Sequence, residues 1–139
     1  MRKRPIIYLS GRISNKPNYK KDFANAERFL RSKGFDVINP CKACEFDFFE
    51  YEDFMHVDFA LIDVADAVFM LHDWVYSTGA HREQCYAMSL GKMVIYHVDN
   101  TTEQRLNELL ERYSGGKGKV PSAEPLVMPS KPDRKGCGE

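Results

Sequence analysis

Asp66 introduces five consecutive apolar residues, Ala67-Val68-Phe69-Met70-Leu71, and this short run constrains the fold more than any other feature. A strand with one wet face would alternate polar and apolar side chains. A continuous run suits a strand covered on both faces, the situation of parallel sheets with helices above and below. Parallel neighbours need crossover helices, so the flanking sequence must supply them. It does so in alternation. Ile6-Ile7-Tyr8-Leu9 reads as a first strand ending in the Ser10-Gly11 turn. Phe23, Ala26, Phe29 and Leu30 stand at helical spacing within residues 22–33, before a terminating Gly34. Residues 35–39 read as a second strand stopped by Pro40. Phe54, Val57, Leu61, Val64 and Ala65 mark a helix that begins at Asp53, before the buried strand. Residues 78–90 form a further helix closed by Gly91, and residues 92–98 a fourth strand. Thr101-Thr102-Glu103-Gln104 then reads as a capping box opening a helix to Tyr113.

This order predicts a single-domain α/β fold, a Rossmann-like or flavodoxin-like parallel sheet flanked by helices, over residues 1–113. Residues 114–139 turn to Gly, Lys, Pro and Ser, with little apolar beyond Leu126-Val127-Met128. They are expected to form a flexible C-terminal tail, disordered or packed on a neighbouring subunit. In such sheets ligands sit at the carboxyl ends of the strands, near the point where the strand order reverses. The loops to inspect therefore start at Ser10, Asn39, Leu71 and Val98.

Charge and cysteine content narrow the function classes. Twenty Lys and Arg balance twenty Asp and Glu, so no net field draws a nucleic acid polymer or an anionic membrane. Behind the basic Met1-Arg2-Lys3-Arg4, the apolar run is far too short for a signal peptide. No segment reaches the roughly 18–20 apolar residues of a membrane helix, and a cytoplasmic location is expected. Cys41-Lys42-Ala43-Cys44 is a lone CxxC without a second pair, so reduced thiols are the expectation over a redox or metal site. His56, His72, His81 and His97 lack metal-ligand spacing, and neither a metal nor another cofactor is expected.

Two loops carry the chemistry. After the first strand, Ser10, Gly11, Arg12 and Ser14 offer hydroxyls, a guanidinium and a backbone open to close approach. Those are the parts of a phosphate cradle, though the motif is neither GxxxxGK[ST] nor GxGxxG. An ordinary βα turn with a surface arginine is the competing reading. The second loop, Ser77-Thr78-Gly79-Ala80-His81-Arg82-Glu83, lies where the buried strand ends and a helix begins, so unbonded N–H groups face the site. Glu83 shares a helical stripe with Tyr86, Ala87 and Leu90, which look like core. A carboxylate there is costly unless it has a partner or a task; a bridge to Arg12 or Arg82 would be the structural alternative. Asp66 reads as a cap at the helix–strand junction, and Asp58 as mid-helix, where a solvated surface position is the default. Trp74, beside Asp73 and Tyr76, could stack on a base or simply cover the sheet edge. The acidic aromatic segment from Glu45 to Asp53 reads as a lid or a partner surface.

The order of these motifs resembles the nucleoside 2-deoxyribosyltransferases. It comprises Tyr8-x-x-Gly11 closing the first strand, Asp58 eight residues before Asp66, and Ser77-x-Gly79-x-x-x-Glu83 ahead of a small-residue helix and Gly91-Lys92. The likeness spans Tyr8 to Val98 and is greatest to the deoxynucleoside-monophosphate N-glycosidases and related small phage-encoded domains. It implies an enzyme in which Glu83 is the nucleophile at the anomeric carbon, forming a glycosyl-enzyme intermediate. Asp58 would assist departure of the base, and Tyr8 would position Glu83. Ser77 would contact a 5′-phosphate, which favours a nucleoside monophosphate as the small-molecule substrate. That branch carries Gly-Ser-Ile-Arg where this chain has Gly11-Arg12-Ile13-Ser14. The resemblance further implies a homodimer or larger assembly with a shared active site. Deoxyribosyl transfer between bases, or a non-catalytic nucleotide-binding regulator, are the alternatives.

Overall fold

All four residues of β3 (Ala67–Met70) are buried, and the strand lies inside a four-stranded, wholly parallel sheet. The computed structural model describes residues 3–43, 46–97 and 99–114. Within them β1 (Ile6–Ser10), β2 (Asp36–Ile38), β3 and β4 (Met93–Tyr96) stand in the order β2-β1-β3-β4. Tyr8 pairs with Ile38 on one side and Val68 on the other, and Phe69 faces Ile95. The helices are α1 (Tyr19–Ser32), α2 (Pro40–Ala43), α3 (Tyr51–Val64), α4 (Thr78–Ser89) and α5 (Thr102–Ser114). The α/β fold read from the sequence is therefore present. Of the expected tail, Ser114 ends α5 and residues 115–139 lie outside the described residues, as do Cys44 and Glu45.

Strand alternation divides the core into two layers. Ile7, Leu9 and Phe69 pack with Phe23 and Leu30 of α1 and with Leu106 and Leu109 of α5. Tyr8, Val68 and Met70 face the other way, against Ile62 of α3 and Ala80 and Ala87 of α4. From β1 the chain steps outward to β2 over one face. It then returns past β1 to β3 over the opposite face. Between β1 and β3 the connections diverge, which is where a parallel sheet opens a crevice.

Helix ends follow their local chemistry. Gly34 (φ 105°) and Gly91 (φ 76°) adopt the left-handed conformation just past α1 and α4. The following N–H groups, of Phe35 and Lys92, turn back to the carbonyls of Leu30 and Ala87. Both glycines thus close their helices as the sequence predicts. Pro40 departs from expectation. It does end β2, but as the first residue of α2, where its missing N–H costs nothing; Asn39 Oδ1 accepts the Cys41 N–H at 2.9 Å. The predicted capping box at Thr101 is also replaced. Thr101 donates to Asp99 Oδ1 from both its backbone and its hydroxyl, so Asp99 organises the start of α5. Leu90, read as core, is 43% exposed because α4 ends before it.

Asp66 is structural, as expected, with a partner no local reading could supply. Its carboxylate accepts the Ile6 N–H at 2.8 Å and the Tyr113 hydroxyl at 3.1 Å, tying β1 and α5 to the head of β3. Glu27 does similar work on α1. Although burial pushes its pKa up, hydrogen bonds from Asn39, Lys42 and Arg31 hold it below the usual range. Cys85, outside the CxxC, is disulfide-bonded. Among the described residues no helix is long and apolar enough to cross a membrane.

Gly11 sits where β1 leaves the sheet against Leu71. A Cβ at this position would lie 2.9 Å from Leu71 Cβ, too close for either backbone to stay in place. Gly11→Ala is expected to cost about 1–3 kcal/mol through overpacking, read as a lower urea midpoint at unchanged slope. An unchanged midpoint would show that the loop relaxes freely.

Candidate functional site

Over the carboxyl end of β1, walled by α3 and the start of α4, lies a cleft of about 980 Å³. Glu83 reaches it from the second turn of α4, and its side chain is 6% exposed. Tyr8 and Ser10, two apart on β1, point to the same side of the sheet and meet this carboxylate. The Tyr8 hydroxyl donates to Oε2 at 3.0 Å, and the Ser10 hydroxyl donates to Oε1 at 2.6 Å. Asp58, half-buried on α3, completes the group through hydrogen bonds with Glu83 and Tyr8.

No ion pair holds Glu83 among the described residues. The arginine bridges considered from sequence are not formed. Arg82 turns outward to Glu52, at 2.9 and 3.2 Å, and Arg12 Nε donates to the Ser14 carbonyl. Burial and the adjacent Asp58 therefore push the Glu83 pKa well above the ordinary carboxylate value, and the two donated hydroxyls offset only part of this. Burial raises Asp58 as well, against hydrogen bonds from Glu83 and Tyr8 that lower it. Tyr8 is raised by burial and by both carboxyls, so it stays a neutral donor. Two carboxyls this close cannot both ionise freely, and between their two titrations the pair holds one proton. Such a pair can donate a proton from one member and attack an electrophilic carbon with the other.

The first turn of α4 borders the same cleft. Ser77 is its N-cap, accepting the Ala80 N–H at 3.0 Å, and its own hydroxyl proton has no acceptor among the described residues. The N–H groups of Thr78 and Gly79 precede the first helical bond, so this edge favours an anion. A Cβ on Gly79 would lie 3.5 Å from the Tyr51 hydroxyl, which shows how closely α3 approaches here. Gly11, Arg12 and Ser14 line the cleft from the loop after β1. Thus Tyr8, Gly11, Arg12, Ser14, Asp58, Ser77, Gly79 and Glu83 border one space.

Two sequence candidates are placed otherwise. Ser10 does not line the cleft; it is 1% exposed and its hydroxyl is committed to Glu83. Trp74 does not line it either, because its ring packs on Tyr96 and His81 at 5.7 and 4.7 Å. Tyr76 takes the lining position, 74% exposed. Sequence reasoning missed Met55, although it shares a helical stripe with Asp58; Tyr51, at the end of the acidic aromatic segment, lines the cleft beside it. The acidic aromatic segment contributes Phe46 and Asp47 to the cleft, with Phe46, Phe48, Phe49 and Phe54 in ring contact. Asp22, His72 and Asp73 bring ligand atoms within 4.8 Å of one another. The Lys16 ammonium already bridges both of those carboxylates.

A family model described as Domain of unknown function (DUF4406) matches residues 5–96, and the chain belongs to that family. The match covers all four strands and α1 to α4, and so contains every residue of the carboxylate site. No curated protein matches the chain.

Proposed function

We propose that this member of the DUF4406 family hydrolyses the N-glycosidic bond of a (deoxy)nucleoside 5′-monophosphate, releasing free base and sugar phosphate. The observation that carries the reading is the buried Glu83. It has no cationic partner among the described residues, is held by Tyr8 and Ser10, and shares a proton with Asp58 at the floor of a cleft. A purely structural carboxylate would be neutralised by a cation or left in water. The resemblance to the nucleoside 2-deoxyribosyltransferases supports the same assignment.

In the first step the proton that Glu83 shares passes to Asp58, and the freed Glu83 carboxylate attacks the anomeric carbon as the carbon–nitrogen bond breaks. The bonding pair leaves with the base, which takes the proton from Asp58. The oxocarbenium character that develops is stabilised by the carboxylate that then traps it. In the second step water attacks the same carbon, Asp58 takes its proton, and the ester to Glu83 is released. The 5′-phosphate would sit on the first turn of α4, with Ser77 and Arg12 as donors, and its binding energy would orient the sugar over Glu83. Ser10 enters this scheme as a positioning residue, sharing that task with Tyr8.

Chromatography of ribo- and deoxyribonucleoside monophosphates incubated with the protein tests the proposal. Free base and sugar phosphate should appear together from at least one of them. Release of no base from any member would overturn it and leave a binding module of the same fold.

A further inference from the structure

The loop after β1 and the connection after β3 leave adjacent strands for opposite faces of the sheet, yet both border the cleft. One side chain joins them. Asp73, 7% exposed in the β3–α4 connection, accepts the Arg12 N–H at 3.4 Å through Oδ1 and binds the Lys16 ammonium through Oδ2. Lys16 also contacts Asp22 on α1 at 2.5 Å. The Asp73 carboxylate therefore grips both ends of the segment that presents Arg12, Ile13, Ser14 and Asn15 to the cleft. Asn15 within it has φ 58°, the left-handed turn conformation that asparagine accepts more readily than most residues. Asp73 also directly precedes the short 3-10 turn Trp74–Tyr76, which leads to Ser77, the N-cap of α4. A shift of Asp73 would thus move the Arg12 loop relative to the helix end.

We infer that Asp73, with Lys16, is a positioning pair that sets the separation of the two cleft walls and holds Arg12 and Ser14 in place for an anionic substrate group. The second half of this statement rests on the nucleotide reading above; the latch itself does not. Lys16 fits the role. Partial burial alone would lower its pKa, yet the two carboxylates raise it, so the ammonium stays charged. An Asp–Lys contact this sheltered resists screening better than an exposed pair.

The Arg12–Ile13 bond makes the latch measurable, because limited trypsin cuts after Arg12 only when the loop opens. Asp73→Ala is expected to raise the nicking rate at this bond by about tenfold or more, as loss of hydrogen bonds to a charged group implies. Asp73→Asn keeps an acceptor for the Arg12 amide but loses the charge, and should fall between. Lys16→Arg should stay close to wild type. Urea midpoints for each variant separate local from global opening. Nicking equal to wild type in Asp73→Ala, or nicking that follows the global midpoint across the series, would overturn the inference. For any nucleotide the wild type cleaves, Asp73→Ala should raise KM with kcat largely retained, and Lys16→Arg should keep KM close to the wild-type value. A fall in kcat at constant KM would assign Asp73 to the chemistry instead. If the wild type cleaves none, the nucleotide reading fails while the nicking rates still decide the latch.

Discussion

Glu83→Gln is expected to reduce base release by on the order of 10³-fold or more, the scale seen when a nucleophile is removed from a concerted site. The substitution keeps shape and volume. Its amide oxygen can accept from Tyr8 or Ser10, and its amino group can donate to Asp58, so the site should remain folded and able to bind. What it loses is the oxygen that attacks and the second carboxyl with which Asp58 shares a proton. Calorimetric titration with a nucleoside monophosphate that the wild type cleaves should therefore show affinity within a few-fold of wild type. Near-wild-type turnover in this variant would remove Glu83 from the chemistry. Loss of binding together with turnover would make it a substrate ligand or a structural group.

The same substitution should stabilise the fold at neutral pH, by on the order of 1–2 kcal/mol, the usual size of gains from relieving a strained functional position. The sign follows from burial. In the folded chain the Glu83 pKa lies well above its ordinary value of 4.5, so folding favours the protonated carboxyl. That contribution is complete below about 4.5 and is lost as pH rises through the folded value. Glutamine cannot ionise. The stability difference between variant and wild type should therefore be smallest near pH 4.5 and widen as pH rises. Urea unfolding at a series of pH values measures it. A difference that stays flat with pH, or a variant less stable than wild type at pH 7, would show that the carboxylate is fully accommodated when charged.

Both expectations depend on a group of residues that was only partly legible along the chain. The unbroken run in β3 and the glycines closing α1 and α4 announce a covered parallel sheet, because burial on two faces and left-handed helix ends restrict residue type locally. Glu83 also stands out without a structure, since a carboxylate beside Ala87 on an inward stripe contradicts its surroundings. Tyr8 and Asp58 entered by resemblance, since a tyrosine in a strand and an aspartate in a helix have ordinary local explanations.

Other outcomes depended on contacts between distant segments. The sequence offers Ser10 as a ligand donor; in the fold it is buried on the same side as Tyr8 and its hydroxyl is committed to Glu83, 73 positions later. For Trp74 the chain leaves base stacking and cover for the sheet edge equally open; its ring packs on Tyr96, and Tyr76 lines the cleft instead. Asp73 gave no local signal, since its partners lie 57 and 61 residues away across the switch point. The pairing of Asp58 with Glu83 is of the same kind. Each carboxyl alone is an ordinary helical acid, and only the packing of α3 on α4 in a dry interior makes them share a proton. Periodicity and burial are properties of neighbouring residues, and the chain displays them directly. Charge pairing across a sheet depends on where separate elements come to rest, and only the folded structure settles that.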